Sequence, residues 1–267
     1  MPELPEVTTI TSQLKGSGVN KKIKDVIIKD KRLIKAISPK KFKSKLKNQI
    51  IRDIFRRGKV LILKLNERLF LVIHLRISGW LMLSEKEEKH ARVSFLLSDE
   101  RLLSFCDMRA LGEVRLVEDW RKLPIIKTMG PEPFEIKKNE FAKLFKNRGA
   151  MIKPLIMDQK FLAGLGNIYA QEALFCAGIH PERKANSIRK EKLEKLHDCI
   201  ISILKEAINK KGSSANTYRQ LDGEKGGYIP LLKVYQRKGE CCFRCKTLIK
   251  RKVIGSRGTC FCPHCQK

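Results

Sequence analysis

The spacing of apolar residues changes character along the chain. Val7, Ile10 and Leu14 recur at helical spacing and predict a short helix over residues 2 to about 15. After it the apolar positions come in short runs. "DVIIKD" near residue 25, "KVLILKL" at 59–65, "RLFLVIHL" at 68–75, "RVSFLL" at 92–97 and "GEVRLV" at 112–117 read as strands separated by turn residues. Strands in such number need two layers to bury their faces, so a two-sheet sandwich follows. "TMGPEPF" at 128–134, with its two prolines and glycine, marks a boundary. Beyond it the period becomes helical: 137–147, a helix ending near Asp158, one over about 167–177, and one over roughly 188–210. The last carries Leu193, Leu196, Ile200, Ile203, Leu204 and Ala207 on one face. The Gly/Ser-rich stretch 212–227 reads as a long loop, and loops of that length inside compact domains are often functional.

Cysteine positions add a third unit. Six of the nine cysteines fall in the last 27 residues, while Cys106, Cys176 and Cys199 stand alone. An odd total without a secretion signal argues against a disulfide framework. Cys242/Cys245 and Cys262/Cys265 form two C-x2-C pairs separated by 16 residues, the spacing of a four-cysteine zinc ribbon with a β-hairpin between its knuckles. Cys241, Cys260 and His264 have less favourable spacing and are set aside as ligands. With all four positions filled by protein, the ion is structural, and it supplies folding energy to a segment too short to bury a core. The fold class is therefore α+β: an N-terminal β-sandwich with a flanking N-terminal helix (1–130), a helical domain (131–236) containing the 212–227 loop, and a zinc-ribbon hairpin (237–267).

Charge narrows the partner. Against 28 Asp+Glu stand 57 Lys+Arg, a net charge of +29, which calls for a polyanion, with nucleic acid as first candidate. A membrane surface is disfavoured by the lack of an amphipathic anchor. No run approaches the ~20 apolar residues of a membrane helix, and residues 1–20 lack the pattern of a signal peptide, so an intracellular protein is expected. "GLGNIYAQEALF" at 164–175 joins a glycine-rich turn to a helix start, where free N–H groups and helix dipole suit a phosphate at Asn167. With the preceding "KPLIMD" helix and the following "GIHP", it suggests a helix–two-turn–helix. Arg257, at the tip of the zinc hairpin, is placed either to reach a phosphate or to sit as a solvated turn residue.

The opening "MPELPEV" packs two prolines and two glutamates into six residues. Together with "RRGKVLILKL", "HLRISG", "DMRALGEV", "GPEPF", "GNIYAQE", "VYQRKGE" and the four-cysteine tail, in order over nearly the whole length, it resembles the bacterial formamidopyrimidine-DNA glycosylases. The resemblance implies a base-excision repair enzyme that removes oxidised purines (8-oxoguanine, formamidopyrimidines) and cuts the strand by β,δ-elimination. Pro2, freed by loss of Met1, would be the nucleophile that forms a Schiff base with the deoxyribose. Glu3 would move protons at the sugar, and Glu6 would support the helix start.

The same resemblance implies that Lys59 reaches the DNA backbone at the lesion, and that Arg257 grips phosphate and takes part in δ-elimination. Asn167, His90, Arg109, Arg148 and Lys153 fall at further DNA-contact positions. Ile77, Arg109 and Leu111 stand where the family places the residues that fill the hole left by the flipped nucleotide. Ile and Leu replace the usual methionine and phenylalanine and can still wedge between bases. Backbone amides near Thr217 and Tyr218, in the lesion-capping loop, would meet the extruded base. The implied partner is damaged double-stranded DNA, met by a monomer in the bacterial cytoplasm with one structural Zn2+. Alternatives are an endonuclease VIII-like enzyme for oxidised pyrimidines and a non-catalytic zinc-ribbon protein that binds damaged DNA.

Overall fold

The computed structural model describes residues 1–215 and 217–267; Asn216, within the expected capping loop, lies outside the described residues. The chain divides into two compact units, Met1–Lys127 with Ile208–Ile229, and Thr128–Ala207 with Pro230–Lys267.

In the first unit, helix α1 (Leu4–Gly18) is followed by β1 (Ile23–Ile28), β2 (Ile34–Lys35), α2 (Pro39–Leu46), β3 (Asp53–Arg57), β4 (Val60–Asn66) and β5 (Leu69–His74). Then come β6 (Gly79–Ser84), β7 (Ala91–Leu97), β8 (Leu102–Asp107), β9 (Glu113–Val117) and the short α3 (Pro124–Lys127). The strands form two sheets, ordered β1-β7-β8-β6 and β2-β9-β5-β4-β3. Both sheets feed one core: Val26, Phe95 and Phe105 from the first meet Leu63, Leu71 and Ile73 from the second. The expected sandwich is thus present, with every residue of β8 buried as befits an inner strand. Ile10 and Leu14 of α1 join the same core, so the opening helix lies against β3 and β4.

The loop expected within the helical domain packs in this first unit. Ser213 and Gly227 bridge its two ends, Leu83 donates its N–H to Leu221 O, and Gln13 of α1 hydrogen-bonds Gln220. Gly226 must be glycine, because an added Cβ would lie 2.2 Å from the Gly212 carbonyl oxygen. Backbone and side-chain bonds to α1 and β6, far earlier in the chain, claim the segment, and spacing along the sequence carries no signal of them.

The second unit holds α4 (Lys138–Lys143), α5 (Ile152–Met157), α6 (Asn167–Ala177), α7 (Lys190–Asn209, whose last residues belong to the first unit) and the hairpin of β10 (Lys250–Ile254) and β11 (Arg257–Phe261). Helix α4 stops short of residue 147; the chain passes through turns, with Asn147 in the left-handed region at φ 62. The apolar face of α7 is buried as the spacing predicts, apart from half-buried Ile203. Phe141, Phe145 and Phe161 stack edge to face, with His197 of α7 against Phe141. One correction concerns sulfur: Cys176 of α6 and Cys199 of α7, isolated in sequence, form a disulfide with Cα atoms 5.8 Å apart. The fold brings the C-terminal end of α6 beside the middle of α7 at this point, and their 23-residue separation gave no hint of it.

Candidate active site

The chain terminus is tied down. Pro2 and Glu3 are buried, and Glu3 is the N-cap of α1. Glu6 makes this possible. One carboxylate oxygen accepts the Glu3 N–H at 2.8 Å, and the other accepts the Ser213 N–H at 2.7 Å. A single buried carboxylate therefore clamps the first residues to the root of the 212–227 loop, the charge-assisted bonds being the strong kind. Arg56 Nε donates to Thr8 Oγ1 at 2.7 Å, which holds the β3–β4 hairpin end beside the first turns of α1. Lys59 sits buried in the turn of that hairpin, where Gly58 adopts φ 54. Lys59 and Arg76 are near enough to act on His74: burial, with their positive charges, holds its imidazole down at about 4. His74 is therefore neutral at pH 7, its Nδ1 accepting the Arg76 N–H.

Ile77, Arg109 and Leu111 lie on two loops, after β5 and after β8, and all three are exposed. Asp107, fully buried at the end of β8, joins the loops. Its Oδ1 accepts from Ser78 Oγ at 2.5 Å and Arg109 N at 3.0 Å; its Oδ2 accepts from Leu111 N and Gly112 N, each at 2.8 Å. The result holds apolar side chains out into solvent on a rigid base, with Met108 exposed among them. His90 is half-buried, edge-on to Trp80, and its carbonyl accepts the Asp107 N–H. In the loop, Tyr218 is buried in the sandwich core, its hydroxyl donating to Lys211 O. Thr217 is half-buried.

In the second unit the basic residues part company. Lys153 is completely buried, its ammonium 2.7 Å from Asn167 Oδ1, so it orders the helix start from beneath. Asn167 is the first residue of α6 and its Nδ2 donates to Gly258 O at 3.3 Å. Arg257, next along, is exposed and opens β11 after a two-residue turn in which Gly255 and Ser256 both have positive φ. Arg148 is exposed on the loop before α5. Glu172, one turn into α6 and buried, accepts the N–H groups of Lys233, Val234 and Tyr235, fixing the segment that leads to the cysteines. The Sγ atoms of Cys242, Cys245, Cys262 and Cys265 lie within 4.8 Å of one another. Burial and the neighbouring sulfurs raise the Cys262 and Cys265 thiols, while a hydrogen bond with Thr247 lowers Cys245 to about 6. Four sulfurs so close need a cation to be thiolates together, and the all-cysteine set suits zinc.

Residues 1–114 match the formamidopyrimidine-DNA glycosylase N-terminal domain, 129–219 its H2TH domain, and 239–267 a zinc finger found in FPG and IleRS. The chain belongs to the formamidopyrimidine-DNA glycosylase family. It is 38% identical to a formamidopyrimidine-DNA glycosylase of Bacillus cereus over 275 aligned residues, covering 100% of this chain and 99% of the relative. With the enzyme of that name from Solibacter usitatus it shares 39% over 267 residues, all of both chains. Among solved structures, a Lactococcus lactis FPG mutant bound to Fapy-dG DNA superposes with a TM-score of 0.92 at 36% identity over 100% of both chains. A structure of MutM with carbocyclic 8-oxo-G DNA gives 0.91, also at 36% and full coverage. As in the glycosylase zinc finger, the four cysteines hold one structural Zn2+.

Within this glycosylase fold, two residues escaped the sequence reading. No motif in the sequence singles out Asp107 or Gln171, yet both are buried and hydrogen-bonded to backbone amides. A weaker signal for Asp107 was available: an acid followed by a short irregular segment and glycine is a common backbone-binding arrangement. None existed for Gln171, whose partners on β11 are 87 and 89 residues away.

Proposed function

We propose that the protein is a bifunctional DNA glycosylase/AP lyase of base-excision repair, acting on oxidised purines in duplex DNA. The observation that carries the chemical assignment is the buried, clamped N-terminus, since an unemployed chain end is usually frayed. Once Met1 is removed, Pro2 bears a secondary amine whose reference pKa of ~8 leaves far more neutral nucleophile at pH 7 than a lysine at ~10.4. Its nitrogen attacks C1′ of the flipped nucleotide, and the C1′–N bond to the base breaks. The base departs with the bonding pair and takes up a proton. Glu3 protonates the sugar oxygen as the ring opens, leaving an iminium on Pro2. That cation is the electron sink for loss of a 2′ proton, which expels the 3′ phosphate, and then for δ-elimination, which expels the 5′ phosphate.

Lys59 contacts the backbone at the lesion; Asn167, Arg257, Arg148 and His90 hold phosphates, with Lys153 stiffening Asn167. Ile77, Arg109 and Leu111 fill the vacated stack, and the amides at Thr217 and Tyr218 meet the base. The working divisions are the 1–130 catalytic domain, the 131–236 helix–two-turn–helix domain with its capping loop, and the 237–267 zinc finger. No helix among the described residues is long and apolar enough to cross a membrane. We infer a monomer at work on chromosomal DNA in the bacterial cytoplasm.

The test is borohydride trapping with Met1-processed protein on duplexes bearing 8-oxoguanine, a formamidopyrimidine, thymine glycol or an abasic site. Covalent adducts with the purine lesions and the abasic site are expected. Adducts with thymine glycol in preference to 8-oxoguanine would reassign the lesion class to oxidised pyrimidines, and no adduct with any substrate would sink the lyase assignment.

A further inference from the structure

Strand β11 has one edge paired with β10 and one edge turned away from it. On the outer edge, Gly258 C=O and Cys260 N–H point the same way, as alternate residues of a strand do. The carboxamide of Gln171, 2% exposed on α6, meets both. Its Nε2 donates to Gly258 O at 3.3 Å and its Oε1 accepts the Cys260 N–H at 2.6 Å. The orientation is unambiguous, because the Cys260 amide can only donate. The second Nε2 hydrogen goes to Asn167 O at 2.7 Å. The side chain thus pairs with β11 as the N–H and C=O of one residue on a neighbouring parallel strand would, straddling Thr259, while holding the first turn of α6.

Around this amide the parts form a closed set. Gly258 O also accepts from Asn167 Nδ2, and Asn167 Oδ1 accepts from Lys153. Arg257 directly precedes Gly258, and its carbonyl accepts from Thr259 Oγ1. The hairpin tip has no slack either, since a Cβ on Gly255 would come 2.8 Å from Pro154 of α5. A two-stranded hairpin can slide or tilt against a helix unless something reads its register. Asn167 holds Gly258 O at only one point; Gln171 adds a second, two residues along.

We propose that Gln171 is a positioning residue for Arg257: by gripping β11 at Gly258 and Cys260 it sets the register and tilt at which the hairpin presents the Arg257 guanidinium beside Asn167. The inference rests on the reading of Arg257 as the residue that holds phosphate during δ-elimination. It requires a donor and an acceptor together. Gln171→Met keeps the volume and removes both; Gln171→Glu keeps the acceptor alone.

The test compares wild type, Q171M, Q171E and R257A, each carrying one zinc and retaining its melting transition, on an abasic-site duplex. Misplacing a reacting group by about 1 Å costs up to ~100-fold. The ratio of δ- to β-elimination product should fall about tenfold in Q171M and less in Q171E, towards that of R257A. Borohydride trapping, which reports Pro2, should stay within about twofold of wild type in Q171M and Q171E. Hydrogen exchange at the Cys260 amide should speed up about tenfold or more in Q171M. A shifted ratio in R257A with wild-type ratio and exchange in Q171M overturns the proposal alone. An unchanged ratio in R257A overturns it together with the reading of Arg257.

Discussion

Removing the Asp107 carboxylate tests whether the loops bearing Ile77, Arg109 and Leu111 act as one rigid wedge. Asp107→Ala strips four donors of their acceptor. The Ser78 hydroxyl and the Gly112 N–H are buried, and orphaning each costs about 1–3 kcal/mol. The Arg109 and Leu111 amides are only partly buried, so water can replace part of their loss. The sum is a destabilisation of about 3–5 kcal/mol. Asp107→Asn keeps one oxygen with two lone pairs for four donors and turns an NH2 towards the rest, so about 2–3 kcal/mol is expected. Urea unfolding measures both values. The functional consequence is read by 2-aminopurine fluorescence beside a paired 8-oxoguanine, which brightens as the nucleotide is extruded. The Asp107→Asn protein, still folded at 25 °C, should extrude a paired lesion poorly yet bind an abasic duplex within about threefold of wild type, since that site leaves no base to expel. A variant with wild-type urea midpoint and wild-type brightening would falsify the wedge-anchor argument.

His74 has its folded pKa lowered from 6.5 to about 4, so the unfolded chain takes its proton first as pH falls. Its contribution is complete above about pH 6.5 and is lost towards pH 4, by about 2–3 kcal/mol after allowance for partial exposure; His74→Gln should flatten urea midpoints across that window, and parallel curves for the two proteins would refute it. Zinc chelation should release amide exchange protection through 239–267 while the sandwich core stays protected; retention of protection at Cys260 after metal loss would contradict the structural role. Protein that keeps Met1, or carries an N-terminal tag, has no free amine at Pro2 and should bind lesion DNA without forming a trapped adduct. Pro2→Gly should cut trapping far more than affinity, and equal losses in both would point to misfolding instead.

Features set by near neighbours along the chain were legible in one dimension. The two C-x2-C pairs marked the metal site because each knuckle is local. The opening helix and the apolar face of α7 followed from spacing, and the α6 start from the glycine-rich turn before it. Pro2, Glu3, Lys59 and Arg257 came from resemblance, and the strand runs predicted a sandwich because half-buried sheets need a second layer. Which polar groups meet across long separations was settled by the packing in three dimensions. Glu6 reaches Ser213, Asp107 reaches Ser78, Lys153 turns inward to Asn167, and Gln171 grips β11. Packing also bonded Cys176 to Cys199 and drew 212–227 onto the sandwich. Such contacts depend on two separate elements being placed to within a few tenths of an ångström, because a hydrogen bond fails beyond about 3.5 Å. Apolar periodicity tolerates errors far larger than that, and so it can be read from the order of residues while the buried polar network that aims the functional residues cannot.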